Sequence, residues 1–248
     1  MALFRPLILC YHAVADAWDD PLATPVAHFE QQLHTLVGRG FRGASAEEIV
    51  RRPDGRRLLH VTFDDAFRSI ENAVPILERL ELPATVFVCT DLASSGRELQ
   101  VTELQRVEQV DELATLDWSA LRTIAHDGLI GVGSHTRSHA HLTSLVADDL
   151  QRELADSKAA IESELGRPCP FFAYPYGEHD ARVREAVRGA GYSAAFAAPG
   201  SSIGFDIYEV PRTAFWRNES AARCAAKTRF AIRVARELKL TPRRGSSR

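Results

Sequence analysis

The stretch HVTFDDAF, residues 60–67, contains the pattern on which the fold prediction rests. A short apolar run leads into it and is typical of a buried strand. The run ends in two adjacent carboxylates, Asp64 and Asp65. Two negative charges side by side repel each other and are costly to remove from water. The pair therefore indicates either a solvated strand end or a site where another group compensates the charge.

The same strand-like pattern recurs along the chain and alternates with helix-like patterns. Repeated β-then-α units predict an α/β fold with parallel strands and right-handed crossovers. Amphipathic helices are predicted over 67–82, 145–166, where Gly166 marks the stop, and 180–192. The strand-like runs are residues 6–11, 57–63, 83–89, 128–134, 170–174 and 192–197.

Charge is distributed unevenly along the 248 residues. Residues 227–248 contain eight Lys or Arg and one Glu, a net charge of +7, which leaves −10 for the rest of the chain. A body this acidic argues against general nucleic-acid binding, which uses a basic face.

The cysteines and the apolar segments indicate a reducing compartment. The four cysteines lie far apart without a C-x-x-C pair, so we expect buried free thiols. No apolar run approaches the roughly 20 residues that span a bilayer, and the first residues show no secretory signal pattern. We expect a cytoplasmic location, including the inner face of the membrane.

Polar groups follow several predicted strands at the point where each ends. Asp64 and Asp65 follow one, residues 135–141 (HTRSHAH) another, residues 175–177 (PYG) a third, and His12 the first. In βα folds the chemistry gathers at the carboxyl ends of the strands. These groups are therefore expected to share one site.

Two of these histidines, His135 and His139, have the spacing of metal ligands. On a helix, or on a turn entering one, imidazoles at i and i+4 face the same direction. The alternative is a histidine-rich surface turn, and His141 is expected to be only a neighbour. A carboxylate from Asp64 or Asp65 would complete a His₂-carboxylate set with an open position, typical of a catalytic divalent metal. The second carboxylate could then act as a base.

Together these motifs resemble the polysaccharide deacetylase family, the NodB-homology domain of carbohydrate esterase family 4. The resemblance rests on TFDD (62–65), HTRSH (135–139) and FAYPYG (172–177), and it spans roughly residues 5–215. The YHAV start (11–14) is similar to a subset with circularly permuted strand order. The resemblance implies a distorted (β/α) barrel with about seven parallel strands.

The resemblance also implies roles for individual residues. Asp64 would be the general base, and Asp65, His135 and His139 would hold the metal. The expected metal is Zn²⁺, with Co²⁺, Ni²⁺, Mn²⁺ and Fe²⁺ as alternatives. The backbone N–H of Tyr176 would donate to the oxyanion. Tyr174 and Pro175 would line the acetyl pocket with it.

The chain departs from the family pattern at two places. The family often has an Arg two residues before the Pro, and this chain has Ala173; Arg212 in YEVPRTAF is the candidate replacement that could reach Asp64. The family's late Leu-x-His motif is missing, since no histidine follows His179. His12 is therefore the candidate acid, the alternative being a strand-end histidine satisfied by backbone.

The expected function is metal-dependent removal of acetyl from an N-acetylated amino sugar in a polysaccharide or glycan precursor. The alternatives are hydrolysis of an O-acetyl ester or a small cyclic amide, or a catalytically silent glycan-binding barrel. The expected partner is a carbohydrate with N-acetyl groups. We expect a barrel domain over 1–228 and a basic C-terminal helix and tail over 229–248, where Phe230, Val234 and Leu238 form an apolar stripe suited to weak membrane contact.

Overall fold

A single parallel sheet organises the protein. In the computed structural model, residues 5–95, 114–198 and 205–229 are described. All six strand-like runs of the sequence form strands at the expected places. The strands are β1 (Leu7–Tyr11), β2 (Ala13–Val14), β3 (Ala23–Thr24), β4 (Arg42–Gly43), β5 (Leu58–Phe63), β6 (Ala84–Val88), β7 (Ile130–Ser134), β8 (Phe171–Ala173), β9 (Ala194–Ala197), β10 (Val210–Pro211) and β11 (Thr213–Ala214).

The sheet nearly closes into a barrel, and its two edge strands are joined by a single residue. Its strand order is β10-β9-β8-β7-β6-β5-β1-β11, with β4 also paired to β5, while β2 and β3 pair separately. Strands β10 and β11 are separated only by Arg212, so the two edges of the sheet belong to one segment of chain. Counted as one broken strand, these strands occupy seven positions, which confirms the predicted distorted (β/α) barrel.

Helices connect the strands, as the alternating pattern predicted. The predicted stop at Gly166 is confirmed, because this glycine ends its helix in the left-handed conformation with φ 65°. The helices are α1 (Val26–Gly38), α2 (Ala46–Arg51), α3 (Val74–Arg79), α4 (Thr90–Ser95), α5 (Trp118–Ile124), α6 (Ala147–Leu165), α7 (Ala181–Gly189) and α8 (Ala221–Lys227).

The segment 67–82 differs from its prediction as one continuous helix. It forms a 3₁₀-helix over Arg68–Asn72 and then α3, with a break at Ala73. Pro75 stands in the first turn of α3 and has no N–H to donate to the preceding turn. The apolar periodicity therefore holds across the break, while the hydrogen bonding does not.

The core fills the barrel and the layer beneath the helices. Tyr11, Phe29 and Phe63 are fully buried and pack ring against ring inside it. All four cysteines are buried and free, as expected. None of the helices in the described ranges combines the length and hydropathy needed to span a bilayer. The apolar stripe expected after residue 229 lies outside the described residues, so the division at residue 228 stays a prediction.

One buried histidine of the sheet, His60, is uncharged at neutral pH because burial disfavours its charged form. His60 lies on β5, where its Nδ1 donates to the Ala44 carbonyl (2.9 Å) and its Nε2 accepts from the Thr85 hydroxyl (2.9 Å). Burial lowers the pKa of His60 to about 4, against the opposing effect of the bond to Ala44. In the unfolded chain this histidine has an ordinary pKa near 6.5. Between about pH 4 and 6.5 it is therefore protonated in the unfolded chain and neutral in the folded protein.

We predict that His60 makes the protein acid-sensitive. Between these two pKa values the unfolded state binds more protons, so stability falls as the pH is lowered. From pH 7 to pH 5 this histidine should remove about 2 kcal/mol of unfolding free energy. Urea unfolding of H60Q should show a correspondingly smaller loss over that interval, whatever its stability at pH 7. H126Q, at an exposed histidine, is the control, and an H60Q loss equal to that of wild type would contradict the prediction.

Candidate metal and catalytic site

The register of the central strands brings the first site residues together. Tyr11 on β1 pairs with Phe63 on β5, so His12 and Asp64 follow side by side at the carboxyl ends of the two strands. The Asp64 N–H donates to the Tyr11 carbonyl at 3.0 Å and extends this pairing by one step. Residues far apart in sequence thus reach the same rim because parallel strands end on the same side.

Asp64 forms a bidentate ion pair with Arg212. The guanidinium donates from Nη1 to Asp64 Oδ1 (2.7 Å) and from Nη2 to Oδ2 (2.8 Å), and both side chains are buried. The same guanidinium also donates to the Thr62 hydroxyl and to the Ala197 carbonyl, both at 3.2 Å. Two further groups, the Thr62 hydroxyl and the Ala197 carbonyl, therefore hold the orientation in which Arg212 reaches Asp64.

The charge of Arg212 determines the protonation of Asp64. Burial alone would raise the pKa of this carboxyl, but Arg212, with smaller contributions from His135 and His12, holds it well below its usual range. Cys10, whose thiol donates to Asp64 Oδ2 at 3.5 Å, was not singled out from the sequence. Its own pKa is raised by burial, so it stays a neutral thiol.

Asp65 turns away from its neighbour and faces the two histidines. It has φ 68° and Ala66 has φ 52°, two consecutive left-handed residues that are uncommon outside glycine and mark strained backbone. Asp65 Oδ1 lies 3.6 Å from His135 Nε2 and 3.3 Å from His139 Nε2. This oxygen is buried and finds no hydrogen-bond partner within the described residues.

His135 presents its Nε2 because its other ring nitrogen is occupied. The Nδ1 lies 2.8 Å from the Ala173 carbonyl, which can only accept, so Nδ1 carries the proton. Burial lowers the pKa of His135 to about 4, and that of His139 to about 4 as well. Both rings are therefore neutral at pH 7 and offer a lone pair, the form in which histidine binds metal.

A loop, not a helix, brings the two histidines together. Strand β7 ends at Ser134, and the backbone then passes through left-handed conformations at Thr136 (φ 71°) and His139 (φ 62°). The Thr136 hydroxyl accepts from the His139 N–H at 3.0 Å and closes the turn. The i, i+4 spacing predicted the proximity of the rings correctly, although a tight turn produces it.

Glu153 fixes this loop from behind, and the sequence reasoning missed it. Its carboxylate on α6 accepts from the N–H groups of Arg137 and Ser138 (both 2.9 Å) and from the Ser138 hydroxyl (2.6 Å). A signal existed in the sequence. Glu153 occupies the apolar stripe of α6, next to Leu154, where a carboxylate needs a partner.

The three facing side chains suit a divalent metal ion. One ligand atom from each of Asp65, His135 and His139 can be chosen so that all three lie within 4.8 Å of one another. Burial, with a smaller contribution from the Asp64 charge, raises the pKa of Asp65 against the opposing effect of His135. A bound cation would stabilise the charged form of Asp65 and give its unpartnered Oδ1 a ligand bond. Two neutral imidazoles and one carboxylate are the donor set of Zn²⁺ and related first-row ions.

The 174–177 turn lies beside these histidines. Pro175–Gly177 is a 3₁₀ turn in which Tyr176 has φ 57° and Gly177 has φ 67°. A Cβ at Gly177 would come within 2.2 Å of the Ala198 side chain, so only glycine fits. Tyr176 is 41% exposed, and its ring packs against His139 and is stacked on His141. Tyr174 and Pro175 are buried beneath the turn.

His12 follows β1 at the same rim and lies next to an aromatic residue that sequence reasoning missed. Its ring is stacked on Trp216 with centroids 5.8 Å apart, and Trp216 is 40% exposed. The buried His12 Nδ1 has no hydrogen-bond partner in the described part of the chain. Backbone therefore does not satisfy this nitrogen within the described residues, and the role of His12 stays a prediction.

The chain is similar in sequence and fold to known proteins. The YxkH protein of Bacillus subtilis (strain 168), which is assigned to the polysaccharide deacetylases, is 27% identical over 192 residues. That alignment covers 75% of this chain and 61% of YxkH, so the chain spans less than two thirds of its relative.

Solved structures share the fold at lower identity. The Streptococcus pyogenes deacetylase PplD superposes with a TM-score of 0.77 at 21% identity, covering 92% of this chain and 99% of PplD. IcaB from Ammonifex degensii gives 0.74 at 24% identity, covering 90% and 97%. The sequence profile of the family described as polysaccharide deacetylase matches residues 51–195, more than half of the chain. The chain therefore belongs to the polysaccharide deacetylase family.

Proposed function

We propose that the chain is a metal-dependent deacetylase that hydrolyses the N-acetyl group of an amino sugar in a polysaccharide or glycan precursor. The observation that carries the proposal is that two adjacent carboxylates at one rim of the barrel have different environments. Asp65 faces two neutral histidines, while Asp64 is held by Arg212. A glycan-binding module without catalysis would not need this division.

Each side chain has a task in the proposed reaction. A divalent cation held by Asp65, His135 and His139, most consistently Zn²⁺, would polarise the acetyl carbonyl and lower the pKa of a water molecule. Asp64 is ionised and accepts the proton of the attacking water. Arg212 orients its two oxygens and keeps the carboxylate in its charged form.

The remaining groups act on the substrate. As water adds to the acetyl carbon, the Tyr176 N–H donates to the oxygen on which negative charge develops. The C–N bond then breaks, acetate leaves, and His12 gives its proton to the departing amine. Stacking on Trp216 holds the His12 ring in place for this transfer. The proposal is supported by PplD, a deacetylase of the same fold that was solved in complex with acetate.

The first prediction from the proposed function concerns the two carboxylates and is tested with N-acetylglucosamine oligomers. Wild type should release acetate, and a chelator should abolish the release. D64N should keep its metal by elemental analysis but release acetate about 100-fold more slowly or worse, because a general base contributes that much. H139Q should lose the metal.

The control for this experiment is H141Q, which changes a histidine of the same motif outside the three-residue cluster and should keep the metal. Acetate release from O-acetyl esters or ring opening of cyclic amides, without acetate release from N-acetyl sugars, would assign the chain to another hydrolase reaction. Binding of glycan without hydrolysis of any of these substrates would identify a catalytically silent glycan-binding barrel.

The second prediction concerns His12 as the proton donor. H12Q should bind metal and substrate normally, yet turn over substrates with a poor leaving amine at least about 100-fold more slowly. An activated ester, whose leaving group needs no proton, should be affected much less. Equal losses on both substrates, or full activity on both, would remove His12 from this role.

The third prediction concerns the buried Asp64–Arg212 pair. R212M leaves an uncompensated carboxylate and should cost about 3–5 kcal/mol of unfolding free energy. Adding D64N to R212M should recover a large part of that cost, since neither charge then remains buried alone. Urea unfolding of the two single variants and the double variant, all in chelator, gives the coupling energy. Costs that simply add would contradict the pairing as the source of stability.

A further inference from the structure

The opposite end of the barrel contains a cavity with a concentrated positive charge. Its volume is about 350 Å³, within the range of small-ligand sites. Within the described part of the chain, no carboxylate lines it. Five arginines line the cavity: Arg5, Arg39, Arg56, Arg57 and Arg229.

This cavity is separate from the candidate metal site. Arg57 directly precedes β5, whereas Asp64 directly follows it. A strand of six residues spans about 20 Å, so the two sites lie at opposite ends of the barrel. Arg5 likewise stands before β1, and Arg39 lies at the end of α1.

Two of the arginines are anchored by neutral groups. Arg57 Nη1 donates to the Arg39 carbonyl (2.6 Å), and Arg39 Nη1 donates to the Ala225 carbonyl (2.7 Å). Gly40 makes room for the first contact, because a Cβ there would lie 2.5 Å from Arg57 Nη1. The guanidinium groups are thus positioned by backbone, while their charges are not neutralised by these bonds.

Within the described residues, four of these arginines, Arg39, Arg56, Arg57 and Arg229, have no carboxylate partner. The carboxyl ends of α1 and α8 lie at the cavity and each supplies about half a negative charge, roughly −1 against these four guanidinium groups. By contrast, several arginines elsewhere pair with carboxylates, as Arg42 does with Glu48 and Arg122 with Glu164. A cluster of this kind is stabilised by a bound anion.

We propose that this cavity binds a phosphate-bearing anion. Guanidinium groups present planar forks that match phosphate oxygens, and several of them converging favour a multiply charged group over a single carboxylate. The same chemistry could come from a free phosphate or from a phospholipid headgroup. Residues 230–248, which follow Arg229 in the chain, add six Lys or Arg and one Glu, so the sequence continues with the same charge.

The test uses the full chain and the double variant R56Q/R229Q. Neither side chain makes a hydrogen bond or ion pair among the described residues, so the variant should fold normally. The matched control is R51Q/R188Q, which removes two exposed arginines outside the cavity. One arm measures binding of inorganic phosphate by calorimetry. The other measures co-sedimentation with vesicles of phosphatidylcholine, alone or mixed with phosphatidylglycerol.

The cavity variant should bind at least about threefold more weakly than wild type in one of the arms, with the control unchanged. Loss in the phosphate arm identifies a free phosphate, and loss only on phosphatidylglycerol vesicles identifies a lipid headgroup. Wild type, the cavity variant and the control variant share the same candidate metal site. Any phosphate bound there contributes equally to all three, so a difference between them measures binding at the cavity. No binding in either arm, a smaller change in both, or an equal loss in the control overturns the proposal.

Discussion

The buried pair of Asp64 and Arg212 is the interaction on which both the barrel and the site depend. A guanidinium removed from water is costly unless a carboxylate meets it with good geometry, and the reverse holds for the carboxylate. Arg212 is the single residue between β10 and β11, where the two edges of the sheet meet. The residue that joins the two edge strands of the barrel is therefore also the residue that holds the candidate base in place.

The neighbouring carboxylate has the opposite environment. Within the described residues, Asp65 pairs with no arginine; it faces the neutral rings of His135 and His139, and burial raises its pKa. Adjacent residues thus differ because consecutive left-handed backbone conformations point Asp65 away from the pair. Glu153 accepts hydrogen bonds from the loop between the two histidines, and the Ala173 carbonyl accepts one from His135 Nδ1. A cation bound between these three side chains would supply the positive charge that the described residues do not place beside Asp65.

Much of this arrangement could be predicted from local patterns, and the parts that could not have physical reasons. The strands were predictable because buried parallel strands are short apolar runs, and Asp64, Asp65 and His12 directly follow such runs. The helix predicted over 67–82 failed because periodicity reports which face is buried and not whether hydrogen bonds continue past a proline. Trp216 was missed because its importance comes from stacking on His12, more than 200 residues away in the chain.

The sequence by itself determined the alternation of strands and helices, the order of the polar motifs after the strands, and hence which residues could share a rim. Those features follow from side-chain hydropathy and chain direction, which are local. Only the tertiary structure decided that Arg212 reaches Asp64, that a turn and not a helix aligns His135 with His139, and that arginines gather at the far end of the barrel. The sequence offered Arg212 and the two histidines as candidates, but their actual contacts depend on strand register, loop conformation and barrel closure, which local patterns do not specify.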